Sequence, residues 1–487
     1  MCALPLAAAG PNDTGFAEPQ PEFIDCFERQ RGAFLAHPYP SYAERVADLR
    51  AMHRLLVENR AALVEAVHRD YGNRSRFETL FTECLLNQEG ILDAIKHLRR
   101  WMKPQKRRLD LTQYPLASAR VIPQPVGIVG VVVPWNFPIS MAFAPLTGII
   151  AAGNRAMVKM SENSNNLARL LMEISPRYLP EDKLRFFEDG GGRGPAFTTL
   201  PFDHIFFTGS PQTGRAVMAN AARNLTPVTL ELGGKSPTVV APDYPIRTAV
   251  ERIMWVKMLN AGQICTNVDY LFLPEDKIDD FVRIAREVVQ QRYPDINGND
   301  YTSIIDERSY RRLETTLEDA RRKGARLVNL VEGQVPDRAL RKFPPHLVLD
   351  PTDDMEILQR EIFGPLLPIK TYRTKEEIRD YVRARPHPLA FYIYTNDRRL
   401  QDWYVTHIMS GGVSVNDGLI HAGLHALPFG GIGNSGMGHY HGHEGFTTFS
   451  KMRPVFTQGP IRPLNLLLPP YEKGAFKLLN LMLRLKS

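Results

Sequence analysis

From Val126 to Val133 the chain runs without a polar residue and is almost wholly β-branched residues and glycine. No alternation interrupts it, which predicts a strand covered on both faces, as in a parallel sheet. Upstream, Ser41-x-x-Glu44 has capping-box spacing, and Val46, Leu49, Leu56, Leu63 and Val67 recur on one face, so an amphipathic helical segment is predicted from Ser41. A second helical pattern covers about Phe77 to Arg100, and Pro104 is expected to end it. Downstream, the apolar segment Ile139 to Ala152 closes at Gly153-Asn154, a helix C-cap signal. RAMVKM then reads as a second strand and Asp203 to Phe207 as a third, followed by another helix. Strand and helix alternating in this way predict a doubly wound α/β layer.

After VTLELGGKSPTVV the pattern restarts, with a helix around Tyr244 to Leu259, a strand near Val268 to Leu273 and a helix from Lys277 to about Arg292. A second α/β unit is therefore expected to begin near Glu231. Residues 1–20 have no periodicity and read as a loose arm. The tail LLLPPYEKGAFKLLNLMLRLKS is apolar with interspersed Lys and Arg, and reads as a docking helix for a neighbouring subunit rather than a membrane contact.

Composition narrows the function classes. In 487 residues, 44% hydrophobic and 23% charged, a disordered or fibrous chain is excluded, and the net charge of +7 hints at acidic partners without demanding them. The basic stretch Arg99 to Arg108 reads as a solvated helix end, since no nucleic-acid recognition module accompanies it. The cysteines Cys2, Cys26, Cys84 and Cys265 are too few and too scattered for a disulfide framework, which points to a reducing compartment. No apolar run reaches membrane-spanning length, so a cytoplasmic, non-spanning protein is expected.

Several residues carry candidate chemistry. Cys265, in Gly262-Gln263-Ile264-Cys265-Thr266-Asn267, sits in a polar loop where a thiol is accessible, whereas Cys84 and Cys26 lie in apolar contexts that suit inert thiols. Glu231 ends a strand in Leu230-Glu231-Leu232-Gly233-Gly234-Lys235. It either pairs with Lys235, which the residues alone favour, or has a raised pKa and serves as a base. Asn136 follows the buried strand in a Pro-Trp-Asn-Phe-Pro turn, as an oxyanion donor or a turn-stabilising side chain. Thr208-Gly209-Ser210 precedes a helix and offers backbone N–H groups to a phosphate, although it is not a GxGxxG turn. Lys159 and Glu162 stand past a strand end where a ribose would lie between them, or form a solvated ion pair. His439, His441 and His443 alternate in a Gly-rich loop that lacks a familiar ligand set, so no metal site is expected.

Taken together, PWNFP (Pro134 to Pro138), Lys159-x-x-Glu162, FTGS (Phe207 to Ser210), ELGGKSP (Glu231 to Pro237), GQICTN (Gly262 to Asn267), EIFGPLLP (Glu361 to Pro368) and PFGGIGNSGMG (Pro428 to Gly438) resemble the aldehyde dehydrogenase superfamily. Seven motifs stand in order, and Cys265 follows Glu231 by the family's 34 positions. The ending GMGHYHGHEGFTTFSKMRP resembles the class 3-like branch, and PFGGIGNSGMGHYHG its coniferyl-aldehyde subgroup, which points to aromatic or medium-chain aldehydes. One departure is EDGGGRGPAFTTLPFDH, where relatives show Gly-Gly followed by an acidic and an apolar residue. Met160 also replaces the usual proline after the ribose lysine.

The resemblance implies an α/β protein with a Rossmann-like NAD-binding domain (21–107 and 126–230) and a second, catalytic α/β domain (231–428). A bridging hairpin at 108–125 is a small oligomerisation arm, and 429–487 forms a C-terminal return and tail. It implies that Cys265 attacks an aldehyde, that Asn136 and the Cys265 N–H hold the oxyanion, and that Glu231 activates the water that releases the acid. It also implies that Lys159 and Glu162 hold the adenine ribose, that Trp135, Gly209, Ser210, Gly214 and Leu232 line the dinucleotide, and that Glu361 with Phe363 positions the nicotinamide ribose. NAD is the expected cofactor because Glu162 repels a 2′-phosphate, with NADP left open by Lys159. A homodimer is expected, with a small aldehyde and no nucleic acid as partner. The rival readings are a coenzyme A-acylating semialdehyde dehydrogenase and an idle structural or nucleic-acid-binding protein on the same fold.

Overall fold

The computed structural model describes residues 18–471 and 473–486, so most of the expected 1–20 arm lies outside the described residues. Helix Pro21–Ala36 opens the described chain, and the capping box at Ser41 starts helix Tyr42–Glu58. The single helical segment expected from Ser41 is two helices. Asn59 takes a non-helical conformation and its side-chain amide bonds back to the Leu55 carbonyl, so a second helix, Arg60–Tyr71, starts in a new direction. Leu63 and Val67 are buried from that second helix. The expected helix over 77–100 contains a π-helical turn at Leu80–Leu85 before continuing as Leu86–Trp101.

Two strands, β1 (Gln105–Arg107) and β2 (Ser118–Pro125), leave this helical layer and lead into a six-stranded sheet. Its chain-ordered strands are β3 (Ile128–Val132), β4 (Arg155–Lys159), β5 (Leu184–Phe187), β6 (His204–Gly209) and β7 (Val228–Leu232). The sequence reading missed β5, whose four residues are too short for a periodic signal, so the expected third strand is the fourth. It also begins at His204 and runs on to Gly209. A seven-stranded sheet follows, built from β8 (Pro237–Val240), β9 (Tyr270–Leu273), β10 (Arg326–Asn329), β11 (His346–Leu349), β12 (Leu366–Thr371), β13 (Ala390–Tyr394) and β14 (Gly412–Val415). The chain then returns to the first sheet as β15 (Gly436–Met437) and ends its strands with β16 (Ser450–Thr457).

Strand order in the first sheet is β15-β7-β6-β3-β4-β5, with only β15 antiparallel. All five residues of β3 are buried. Val129 and Val131 face a core that includes Ile139, Phe143 and Leu146 from helix Pro138–Ala152. Ile128 and Val132 face an opposite core with Phe23 and Phe27. Fully burying one such side chain stabilises by about 1.5–3 kcal/mol, which explains why an apolar run with period-two faces on both sides specifies an inner strand.

In the second sheet the order is β10-β11-β12-β9-β8-β13-β14. β16 pairs with β2 along eight residues, and β1 completes this three-stranded antiparallel sheet. The strands of the expected 108–125 hairpin thus begin earlier, at Gln105, and take a third member from near the chain's end. Among the described residues, no helix is long and apolar enough to cross a membrane.

Candidate active site

β3 is the first strand of its sheet, with β4 on one side and β6 on the other, so the strand order reverses there and a crevice opens at the carboxyl ends. Trp135 and Asn136 follow β3, Thr208 and Gly209 close β6, and Glu231 lies on β7 opposite Thr208. Cys265 reaches the same crevice from the second unit, between helix Ile246–Met258 and β9.

The approach to Cys265 is three consecutive residues of left-handed backbone: Asn260 (φ 51°), Ala261 (φ 50°) and Gly262 (φ 77°). Only asparagine and glycine adopt this region readily, so the alanine is held there at a cost of about 1–2 kcal/mol. A Cβ at Gly262 would stand 2.3 Å from the Gly364 carbonyl oxygen, so this position admits no side chain. The turn is pinned by its own amides. Asn260 Nδ2 donates to the carbonyl oxygens of Asn136 (3.1 Å) and Gln263 (3.0 Å), and Gln263 Nε2 donates to those of Asn260 (2.9 Å) and Ser303 (3.1 Å). Asn136 is buried, and its own Nδ2 donates to the Gln263 carbonyl at 3.3 Å.

Burial pushes the Cys265 thiol up to about 12; the carboxylates of Glu361 and Glu231 add to the rise, and the N–H groups of Cys265 and Thr266 oppose it. Glu231 is 3% exposed, and neither carboxyl oxygen has a hydrogen-bond partner among the described residues. Burial raises it well above the ordinary carboxylate range. The pairing with Lys235 favoured by the residues alone is not formed. Lys235 instead meets the Asp269 carboxylate and donates to the carbonyl oxygens of Ile357 (2.8 Å) and Arg360 (2.9 Å).

Cys265 and Glu231 line one cavity of about 230 Å³, with Leu232 and Thr208 and walls that include Phe137, Met141, Trp255 and Phe429. A second cavity of about 560 Å³ is lined by Pro211, Arg215, Gly233, Lys235 and Glu361. A Cβ at Gly233 would lie 2.2 Å from a Glu361 carboxyl oxygen, so a side chain there would push that carboxyl aside. Burial and the nearby Asp269 push Glu361 up to about 8. Phe363 also takes a left-handed φ of 49°, with its ring edge-on to Trp135 at 5.4 Å between centroids. Arg312 holds this turn by donating to the carbonyls of Ile362 (2.6 Å) and Phe363 (3.1 Å), and Asp269 accepts the Ile362 N–H at 3.0 Å.

At the other end, Ser210 caps helix Pro211–Ala222 by accepting the Thr213 N–H at 3.2 Å, and Gly214 packs against Leu232. Lys159 and Glu162 do not pair with each other. Lys159 meets the Asp189 carboxylate, and Glu162 accepts the Ser161 hydroxyl at 2.9 Å. His439, His441 and His443 do not converge: His441 stacks on Phe429, whereas His443 packs against Phe446. Among the described residues no group of three or more His, Cys, Asp or Glu is arranged to hold a metal ion.

Sequence reasoning missed the residues that brace this site. Arg74 donates to the Asn136 carbonyl at 2.6 Å and lies 3.5 Å from Glu83, both side chains fully buried. Glu83 accepts the N–H groups of Ile139 (2.8 Å) and Ser140 (3.1 Å) at the start of the following helix. Glu78 accepts the Asn260 N–H at 3.1 Å and the Thr302 hydroxyl at 2.8 Å. A charged residue in an otherwise apolar helical stripe, such as Glu83 beside Cys84, was the one available sign.

The family model described as the aldehyde dehydrogenase family matches residues 23–455. The chain belongs to the aldehyde dehydrogenase family. As an aldehyde dehydrogenase it is an oxidoreductase that uses NAD(P) and acts on a small-molecule aldehyde. It is 47% identical to a probable coniferyl aldehyde dehydrogenase of Pseudomonas aeruginosa over 454 residues, 93% of this chain and 94% of the relative. It is 42% identical to a coniferyl aldehyde dehydrogenase of a Pseudomonas species over 460 residues, 94% of this chain and 95% of the relative. Among solved structures, the substrate-bound state of Staphylococcus aureus AldH superposes with a TM-score of 0.88 at 32% identity, covering 94% of this chain and 99% of that one. A Mycobacterium tuberculosis aldehyde dehydrogenase complexed with NAD+ gives a TM-score of 0.80 at 27% identity, covering 90% of each chain.

Proposed function

We propose that this aldehyde dehydrogenase oxidises an aromatic aldehyde of the coniferyl type, or a medium-chain aliphatic one, to the free acid, with NAD as the preferred acceptor. The observation that carries the reading is the cavity shared by the Cys265 thiol and the unpaired Glu231 carboxyl, with walls of aromatic and aliphatic side chains that suit an apolar aldehyde. The names of the coniferyl aldehyde dehydrogenase relatives support the same substrate class.

Cys265, once it has given up its proton, attacks the aldehyde carbon. The Asn136 amide and the Cys265 backbone N–H stabilise the oxyanion of the resulting thiohemiacetal. NAD, when bound, supplies the acceptor for the hydride that leaves this carbon. Glu231 then takes a proton from the water that attacks the Cys265 thioester, and the carboxylic acid departs. A carboxyl raised by burial is a better base once ionised than an ordinary one, which suits Glu231 to this step.

The residues present fit a dinucleotide. Thr208 Oγ1 and Glu361 Oε1 are buried polar atoms without hydrogen-bond partners among the described residues, and Glu361 shares a cavity with Pro211 at the start of a helix. Gly209, Ser210 and Gly214 would hold the pyrophosphate, with Leu232 and Trp135 alongside. Glu361 and Phe363 would hold the nicotinamide ribose, and Lys159 with Glu162 the adenine ribose. Dimerisation through the β1-β2-β16 sheet and the C-terminal helix Lys473–Lys486 belongs to the same reading, supported by exposed Phe456 in β16 and Phe476 in that helix.

Incubation with coniferaldehyde, benzaldehyde and aliphatic aldehydes plus NAD tests the reading. NADH and free acid formed without coenzyme A support it; a requirement for coenzyme A replaces hydrolysis by acyl transfer, and silence across the panel removes it.

A further inference from the structure

The far end of the crevice holds an ion pair that the mechanism does not use. Lys159 closes β4, and β5 lies beside it with Phe187 opposite Lys159. Two residues past Phe187, Asp189 turns its carboxylate onto the Lys159 ammonium, and the two side chains are 7% and 5% exposed. The other oxygen of Asp189 accepts the Gly192 N–H at 2.8 Å, which fixes the carboxylate in a tight turn. Helix Gly194–Thr198 closes over the pair, with the Cβ position of Gly194 3.5 Å from Lys159 Nζ.

The neighbouring cations are also matched: Arg169 pairs with Glu188 and Arg193 with Glu22. Glu162, by contrast, has no cation partner among the described residues. Lys159, Asp189 and Glu162 together therefore carry one net negative charge.

We propose that Asp189, by neutralising Lys159, makes this corner accept a ribose with a free 2′-hydroxyl and refuse one with a 2′-phosphate. The inference rests on the reading of the crevice given above, in which Lys159 and Glu162 face the adenine ribose. An ammonium has three donors, so Lys159, ion-paired with Asp189, still has N–H groups for ribose hydroxyls. A 2′-phosphate brings about two negative charges, and stable burial of such a group needs an unmatched cation. With Asp189 present Lys159 is matched; without it, Lys159 becomes such a cation. Asp189 acts through Lys159 and is a positioning residue.

The test measures equilibrium binding to the full chain, by tryptophan fluorescence quenching, of NAD+, NADP+, adenosine 5′-monophosphate and adenosine 2′,5′-diphosphate. Wild type is expected to bind NAD+ at least about 100-fold more tightly than NADP+. Asp189→Asn and Asp189→Ser are expected to tighten adenosine 2′,5′-diphosphate and NADP+ about tenfold while NAD+ changes less than about threefold. Unchanged ratios in folded variants overturn the role of Asp189. If neither variant folds, the wild-type ratio and its salt dependence decide: equal affinity for NAD+ and NADP+ overturns the proposal. Failure of wild type to bind any of the four probes would remove the dinucleotide reading itself.

Discussion

Lys235 faces Asp269 and not Glu231, although Lys235 and Glu231 stand four residues apart in one motif. The strand that carries Glu231 ends at Leu232, and the chain then turns so that the lysine meets the Ile357 and Arg360 carbonyls across the second unit. Glu231 is left without a cation to lower its pKa, while Lys235 and Asp269 fasten the turn that holds Glu361. One lysine thus decides two environments. Asp269→Asn removes the carboxylate from a largely buried ammonium and is expected to destabilise the fold by about 3 kcal/mol. Urea unfolding of the variant and of wild type checks this; an unchanged midpoint would remove the structural role of the pair.

Replacing Cys265 by alanine is expected to abolish aldehyde oxidation while NAD+ still quenches tryptophan fluorescence. Turnover at the wild-type rate would take Cys265 out of the reaction.

Glu231→Gln is expected to release about one equivalent of NADH per site and then stall at the thioester, with steady-state turnover down by ~10²–10⁴-fold. Rapid-mixing absorbance at the NADH band separates the burst from the steady state. An unaltered steady state would assign water activation to another group.

The pH dependence has a definite sign for activity and the opposite one for stability. The Cys265 thiol is pushed up to about 12, and Glu231 well above the usual carboxylate range, so the reactive ionised forms accumulate only as pH rises. Turnover is expected to climb from neutral into the alkaline range. Glu361, pushed up to about 8, keeps in the folded state a proton that the unfolded chain loses near pH 4.5. Its contribution to stability is therefore complete below pH 4.5 and is lost as pH rises through about 8. Thermal melts of Glu361→Gln between pH 5 and 9 are expected to be flatter than those of wild type.

Gly262→Ala sets a side chain 2.3 Å from a carbonyl oxygen on backbone with φ of 77°. Loss of at least about 2 kcal/mol of stability is expected, together with loss of turnover. A variant as stable and active as wild type would mean that the loop has another conformation available.

The first sheet was legible where burial was two-sided, as in β3, because an apolar run without alternation admits few other readings. β5 escaped notice because Leu184–Phe187 is one short strand among Pro and charged residues. The break at Asn59 escaped because both helices bury the same kinds of side chain, and periodicity alone does not report a change of axis. In the site, Cys265, Glu231 and Asn136 stood out through motifs. Arg74, Glu78, Asp189, Asp269 and Arg312 did not, because their partners lie far along the chain or on carbonyl groups that any residue supplies.

β7, which bears Glu231, has β6 on one side and β15 on the other, with Gly436 opposite Glu231 and the Leu232 N–H on the Ser435 carbonyl at 3.0 Å. The final neighbour of that strand is made some two hundred residues after the strand itself. During synthesis a nascent chain therefore carries both Cys265 and Glu231 long before the strand that frames Glu231 on its second side has been made.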